Sequence, residues 1–313
     1  MISVLLPVHN EHDSIRLLWE EIAAVAAEHH LDLEAVIVDD GSVDRSWEVI
    51  DQLATESPQV RGIRFRRQFG KAAALAAAMQ AARGDIYITM DTDLQDDPAE
   101  IPRFLAALES DLDVVNGWKR PRFDPWHKVW PSYVFNLLVS WTMGLHLHDH
   151  NCGMKCYRAE LFQEIRLYGE LHRFVPVLAH GRGYRVAEIP IHHRPRRFGR
   201  SNYGVSRYLK GFLDLLTVKF LTGFGQRPQH LLGGIGLVAF LGGMLGLAYL
   251  AVLWLLGQGP IGDRPLLLYS ISAMLLGAQM ISIGLLAELI IAYQGSPQDS
   301  YSIAERAGFE DDG

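Results

Sequence analysis

Asp91-Thr92-Asp93 follows the β-rich run at residues 85–90, and the string continues through Gln95 to Asp96 and Asp97. Two carboxylates in this D-x-D spacing at a strand end can hold a hard divalent cation such as Mg²⁺, with phosphate oxygens completing its shell. Two other apolar runs also end in acids: Ile2–Val8 leads into His9-Asn10-Glu11, and residues 35–38 lead into Asp39-Asp40. Between Arg182 and Arg200 six arginines (182, 185, 194, 196, 197 and 200) stand against the single acid Glu188. Such a cluster can grip phosphate or merely coat a solvated loop. Cys152 and Cys156 lack C-x-x-C spacing and a second pair, so they predict reduced thiols rather than zinc or a disulfide.

The segments around these acids alternate in type. Short β-rich runs at 2–8, 35–38, 61–65, 85–90 and 113–116 are separated by helical periodicity at 13–29, 44–54, 71–82 and 98–108. That alternation predicts an α/β domain with a parallel sheet and right-handed crossovers. Ligands of such sheets bind outside the carboxyl ends of the strands, where all three acidic clusters converge.

Charge is unevenly distributed. Residues 228–262 and 265–287 contain no Asp, Glu, Lys or Arg, so the remaining 255 residues hold all 65 charges. The charged part has an ordinary globular composition, about a quarter charged. Each charge-free stretch exceeds the roughly 20 residues needed to cross a bilayer. Arg207, Lys210, Lys219 and Arg227 flank the first stretch, whereas the intervening turn has only Arg264 beside Asp263. The positive-inside rule then predicts an integral membrane protein with its charged domain and both termini in the cytosol. Ile2–Val8 is too short and too soon polar for a signal peptide. Gly242-x-x-x-Gly246 suggests close helix packing, and Glu288 predicts either snorkelling or pairing within the bundle. Residues 130–143 and 206–222 are amphipathic: the first fits core or membrane interface equally, and the second favours the interface. The net charge of −7 argues against a nucleic-acid partner.

The strings Val4-Leu5-Leu6-Pro7-Val8-His9-Asn10-Glu11, Val38-Asp39-Asp40-Gly41-Ser42 and Met90-Asp91-Thr92-Asp93-Leu94-Gln95-Asp96 closely resemble family 2 glycosyltransferases of the GT-A (Rossmann-like) fold. Asp149-x-x-Cys152-Gly153-Met154-Lys155 and Arg196-Arg197-Phe198-Gly199-Arg200-Ser201-Asn202-Tyr203, followed by two apolar stretches, narrow the resemblance to polyprenyl-phosphate glycosyltransferases, the group containing dolichol-phosphate mannose synthase. The resemblance implies a GT-A catalytic domain at 1–202, an amphipathic juxtamembrane helix at 203–227, a two-helix transmembrane hairpin at 228–295 and a cytosolic tail at 296–313. It implies inverting, metal-dependent transfer of one sugar from a UDP- or GDP-sugar to an undecaprenyl or dolichyl phosphate at the cytosolic membrane face, and allows a homo-oligomer.

The resemblance also implies residue roles. Pro7, Val8, Asn10, Glu11, Asp39, Asp40, Lys71 and Asp91 bind the nucleotide sugar. Asp91, Asp93 and Gln95 hold Mg²⁺ or Mn²⁺. Lys119, Lys128, Lys155, Arg196, Arg197 and Ser201 bind the acceptor and its phosphate. Asp93, Asp149, Arg196 and Arg197 act in catalysis. Gln68 stands where the family often has Asn, Cys152-Gly153-Met154-Lys155 replaces the usual Ser-Gly-Phe-Arg, and Lys119 replaces an Arg. The lysines keep the charge but lose the bidentate fork. His146, His148 and His150 alternate as metal ligands on an extended strand would, yet they overlap the implied acceptor loop. A processive polysaccharide synthase would carry Gln-x-x-Arg-Trp and more spans, and a glycosidase would need two opposed carboxylates. Intact Glu11, Asp91 and Asp93 argue against a non-catalytic scaffold.

Overall fold

The computed structural model describes residues 1–120, 126–165, 167, 169, 171–194, 215, 217–219 and 228–294, without the side chains of 126–132, 134, 135 and 291–294. They fall into two units, divided between Val218 and Lys219.

Seven strands build the first unit: β1 (Ile2–Val8), β2 (Leu33–Asp39), β3 (Val60–Arg64), β4 (Ile86–Thr89), β5 (Val114–Lys119), β6 (Lys155–Arg158) and β7 (Val186–Ile191). They form one sheet in the order β3-β2-β1-β4-β6-β5-β7. The first half is parallel, as the alternation predicts. The departure is β6, which runs antiparallel to both β4 and β5. This reversal delivers the amino end of β6, and with it the 149–155 loop, to the carboxyl ends of β4 and β5.

Helices α1 (Ile15–Glu28), α2 (Ser46–Glu56) and α4 (Ile101–Glu109) cover one face, where Leu18, Ile22, Ile50 and Phe104 pack with Val4, Leu6 and Ile37. On the other face α3 (Lys71–Ala81) packs Ala74, Leu75 and Ala78 with Leu5, Val36 and Val38. Helices on both faces explain why β1 and β2 read as continuous apolar runs rather than as alternation. Three further helices are α5 (Trp126–Met143), α6 (Leu161–Glu164) and α7 (Val175–Gly181). Val139 of α5 joins Leu145, Leu147, Phe174, Val177, Leu215 and Val218 in a third cluster. The amphipathic stretch that favoured a membrane interface therefore buries Leu215 and Val218 in the globular unit. On α5, Asn136, Val139 and Ser140 are buried while Tyr133, Leu137 and Trp141 are exposed.

The second unit contains α8 (Pro228–Leu255) and α9 (Pro265–Gln294), both long and apolar enough to cross a membrane. Their contact differs from the sequence expectation. A Cβ on Gly236 would lie 2.7 Å from the Gly277 carbonyl oxygen, and one on Gly243 would lie 2.6 Å from the Met274 nitrogen. A Cβ on Gly242 would meet nothing, so it faces away, while Gly246 meets Ser270. Residues seven apart share a helix face, which puts Gly236 and Gly243 on one seam and excludes Gly242. Glu288 is paired: its Oε2 accepts the Gln229 backbone N–H at 3.1 Å. This satisfies an amide of the first turn of α8 and places a carboxylate at the positive end of that helix.

Candidate active site

The acidic groups meet at one edge of the sheet, as expected. Register places Val8 beside Asp39 and Leu5 beside Thr89, so the ends of β1, β2 and β4 are adjacent. Thr92, which the sequence reading passed over, ties two motifs together: its hydroxyl reaches Glu11 Oε2 and lies 3.2 Å from the Pro7 carbonyl. Asn10 adopts φ +57°. Its N–H donates to Ser42 Oγ at 2.9 Å, and its Oδ1 accepts the Val43 N–H at 2.9 Å. Asp39 Oδ1 accepts the Ser42 N–H at 2.8 Å, whereas its buried Oδ2 has no hydrogen-bond partner among the described residues. The Asp40 carboxylate accepts the N–H groups of Phe69, at 2.6 Å, and Gly70, at 2.9 Å. Asp40 therefore holds the turn that starts α3, and with it Lys71.

Lys71 forms an ion pair with Asp91. Burial pushes Asp91 up, but Lys71 and Lys119 outweigh it and hold the carboxyl well below the usual range. The Asp91 N–H donates to Asp96 Oδ2 at 3.1 Å, and Asp96 Oδ1 is a buried atom without a hydrogen-bond partner among the described residues. Asp93 is buried and its Oδ1 accepts the Gln95 N–H at 3.2 Å. Gln95 Nε2 lies 3.3 Å from His193 Nε2. Asp91, Asp93 and the Gln95 amide carbonyl offer oxygen donors of the kind a hard cation takes. Among the described residues no group of three or more His, Cys, Asp or Glu could hold a metal alone. A Mg²⁺-type site keeps positions for phosphate and water oxygens, which two carboxylates and one amide would leave open.

The 149–155 loop faces these acids across the reversed strand. Asn116 Nδ2 donates to the Asp149 carbonyl at 2.7 Å, Thr89 Oγ1 donates to the Gly153 carbonyl at 2.8 Å, and the Gly117 N–H donates to the Met154 carbonyl at 3.0 Å. Gly153 sits against the Asp91 carboxylate: a Cβ there would lie 2.5 Å from Oδ2. Asp149, 3 % exposed, accepts the Asn151 N–H at 3.0 Å in a local turn. Burial disfavours the Lys119 ammonium, yet Asp96, Asp91 and Asp149 together raise its pKa. Burial lowers Lys155 to about 8. Both cysteines are free and buried, and burial pushes the Cys156 thiol to about 12, so neither is a reactive nucleophile.

The arginine cluster divides in space. Arg185 pairs with Asp111, and Arg182 lies 3.7 Å from Glu164. Arg185 immediately precedes β7, whose six residues span ~20 Å, so it sits opposite the acidic edge. Arg194 ends up at that edge: it pairs with Glu21 at 2.6 Å and Asp97 at 2.7 Å, and its N–H donates to the Gln95 carbonyl at 2.9 Å. Arg196, Arg197 and Ser201 lie outside the described residues, as does the side chain of Lys128 on α5.

The three histidines also part. His148 stacks on Trp118 and pairs with Glu188. His146 is exposed, and buried His150 places Nε2 3.2 Å from Ser140 Oγ. Burial, with Lys155 second, pushes His150 down from 6.5 to about 4. Between those values the unfolded chain takes a proton that the folded chain refuses, so stability falls as pH drops through that window. The loss amounts to about 3 kcal/mol. His150→Gln removes the titration. Thermal unfolding of the solubilised chain at pH 7 and pH 5 should show a Tm gap that shrinks in the variant.

The family model for glycosyl transferase family 2 matches residues 3–166. A dodecaprenyl-phosphate galacturonate synthase of Rhizobium johnstonii is 36% identical over 294 residues, covering 92% of this chain and 87% of that protein. An undecaprenyl-phosphate 4-deoxy-4-formamido-L-arabinose transferase of Aeromonas hydrophila is 32% identical over 292 residues, covering 93% and 88%. The fold is shared with a glucosyl-3-phosphoglycerate synthase from Mycobacterium tuberculosis, solved with Mn²⁺ and UDP-glucose. That structure has a TM-score of 0.56 and 18% identity, over 71% of this chain and 78% of that one. With its acidic strand ends on a GT-A sheet and relatives aligned through the apolar C-terminal helices, the chain belongs to glycosyl transferase family 2, among the polyprenyl-phosphate glycosyltransferases.

Proposed function

We propose that the chain moves one sugar from a nucleoside-diphosphate donor to a polyprenyl phosphate at the cytosolic membrane face, with inversion at the anomeric carbon. The observation that carries this is the sheet edge where Asp91 and Asp93 lie with half-buried Lys119 and buried Lys155. Carboxylates for a cation and cations for phosphate within one crevice suit a reaction that releases a nucleoside diphosphate. Glu11 and Asp39 line the nucleoside side, with Asn10 shaping the turn beside them. Asp91, Asp93 and Gln95 hold Mg²⁺ or Mn²⁺, which neutralises charge on the leaving diphosphate when bound.

The acceptor oxygen is already anionic near neutral pH, because a phosphate monoester has a second pKa of about 6. No strong base is needed, and positioning for in-line attack carries the rate. In that attack a bond forms from the phosphate oxygen to the anomeric carbon while the bond to the diphosphate breaks. Asp149 orients the acceptor side through the turn it stabilises. Lys119 and Lys155, together with Lys128, Arg196, Arg197 and Ser201, offset the phosphate charge. The described chain reaches Arg194 alongside Gln95, which supports Arg196 and Arg197 acting at this edge. Helices α8 and α9 anchor the enzyme in the bilayer where the lipid phosphate lies, with the catalytic unit and both termini cytosolic.

The test incubates purified full-length protein, Mg²⁺ or Mn²⁺ and undecaprenyl phosphate with a panel of UDP- and GDP-sugars. Mass spectrometry of the lipid fraction should reveal one lipid phosphosugar. An empty lipid fraction from every donor would sink the reading.

A further inference from the structure

Thr92 separates the two acids of the D-x-D string and is 3 % exposed. Its hydroxyl turns to the segment that leaves β1, where it reaches Glu11 Oε2 and lies 3.2 Å from the Pro7 carbonyl. A threonine hydroxyl carries one proton, so these two acceptors compete for it. A charge-assisted bond to a carboxylate is roughly twice as strong as one to a neutral carbonyl, which directs the proton to Glu11. The β-branched side chain has few χ1 states, so the hydroxyl keeps that direction. The Glu11 main chain is secured by other residues. Its N–H donates to Ser46 Oγ at 3.0 Å, at the start of α2, and its carbonyl accepts the Ser14 N–H at 3.0 Å and the Ser14 hydroxyl at 2.9 Å, just before α1. Those bonds fix the backbone of Glu11 but not the rotatable bonds of its side chain, which is where the Thr92 hydroxyl acts.

A carboxylate already oriented before its ligand arrives spares that ligand the cost of ordering a long side chain. We propose that Thr92 is a positioning residue for the donor, its hydroxyl presetting the Glu11 carboxylate on the nucleoside side of the crevice. The inference rests on the transferase reading, in which Glu11 lines that side, and deepens it by bringing the middle residue of the D-x-D string into nucleotide recognition. Two acids offered to the cation and the group that orients a nucleoside carboxylate then lie on three consecutive residues. The competing role is a clasp between strand ends, in which the hydroxyl serves only the Pro7 carbonyl and affects stability alone. Removing the hydroxyl with and without the Glu11 carboxylate separates the two.

Full-length protein in detergent is titrated calorimetrically with UDP and with GDP at saturating Mn²⁺, and the tighter-binding nucleotide is carried through the variants. Thr92→Val keeps the shape and removes the hydroxyl; it should weaken nucleotide binding roughly 10-fold, the low end for one hydrogen bond to a charged group. Thr92→Ser keeps the hydroxyl and should retain most of the affinity. In a Glu11→Ala background Thr92→Val should cost nothing further, because residues that act through one another are not additive. In transfer assays the donor KM should rise in Thr92→Val while the KM for undecaprenyl phosphate stays unchanged. Thr92→Ala removes the same hydroxyl without bulk and stands in if the valine variant misfolds. An equal loss in the Glu11→Ala background assigns Thr92 to the cation loop and overturns the proposal. A Thr92→Ser loss as large as that of Thr92→Val assigns the effect to the methyl group and overturns it too. Unchanged nucleotide affinity with a lowered Tm leaves the hydroxyl to the Pro7 carbonyl, again overturning it. In all three cases sugar transfer by the wild type leaves the transferase reading intact, whereas a wild type that binds neither nucleotide overturns both.

Discussion

Asp93→Asn is expected to lower sugar transfer at least ~1000-fold, a loss of about 4 kcal/mol of transition-state stabilisation. The substitution keeps the shape of the side chain and removes only its charge. Asp93 Oδ1 accepts the Gln95 N–H, a role the amide oxygen of Asn can take over, so the turn survives. On the proposed reading, what disappears is one of two carboxylates that would hold the cation, and with the cation goes the positive charge that would offset the departing diphosphate. The variant should be extracted from membranes in normal yield and melt within a few degrees of the wild type. Lipid-phosphosugar formation, followed by mass spectrometry over a range of Mn²⁺ concentrations, is the readout. Full activity in the variant would remove Asp93 from the cation site.

Gly153→Ala is expected to cost roughly 100-fold in kcat, the scale of a misplacement of about 1 Å at a reacting centre. The new methyl would sit 2.5 Å from Asp91 Oδ2 and 2.7 Å from its Cγ, too close for either group to stay. The loop is held by Asn116, Thr89 and Gly117, so the Asp91 side chain yields first. Displacing it weakens the cation site and the Lys71 ion pair together. KM for the donor should rise while the kcat loss persists at saturating donor and cation. Gly144→Ala provides a comparison, since a Cβ at Gly144 would meet nothing within 4 Å. Its φ of +72° strains the backbone without touching Asp91, so it should affect stability more than turnover.

The acids at the strand ends were legible from local pattern alone. Apolar runs of strand length ending in Glu11, Asp39-Asp40 and Asp91-x-Asp93 require only that a parallel α/β sheet forms, and the sheet then aligns their carboxyl ends. The two apolar helices were legible for a similar reason: a charge-free stretch longer than a bilayer is thick needs no tertiary partner to be recognised. Both features depend on residues near one another in sequence.

Other features depended on which distant segments meet. No local signal marks β6 as antiparallel, yet that reversal brings Gly153 against Asp91 and buries Lys155 beside the acids. The six arginines look like one cluster in sequence, but a strand of ~20 Å lies between Arg185 and Arg194, and their partners are at opposite ends of the sheet. Three alternating histidines suggested a shared ligand set until Trp118, Ser140 and solvent drew them apart. The sequence by itself determined the fold class, the family, the cation-type carboxylates and the apolar pair of helices, because periodicity and strand-end position are local properties. The tertiary structure alone decided which cations remain at the acidic edge and which acids they meet there, because burial and charge balance are set by neighbours far away along the chain.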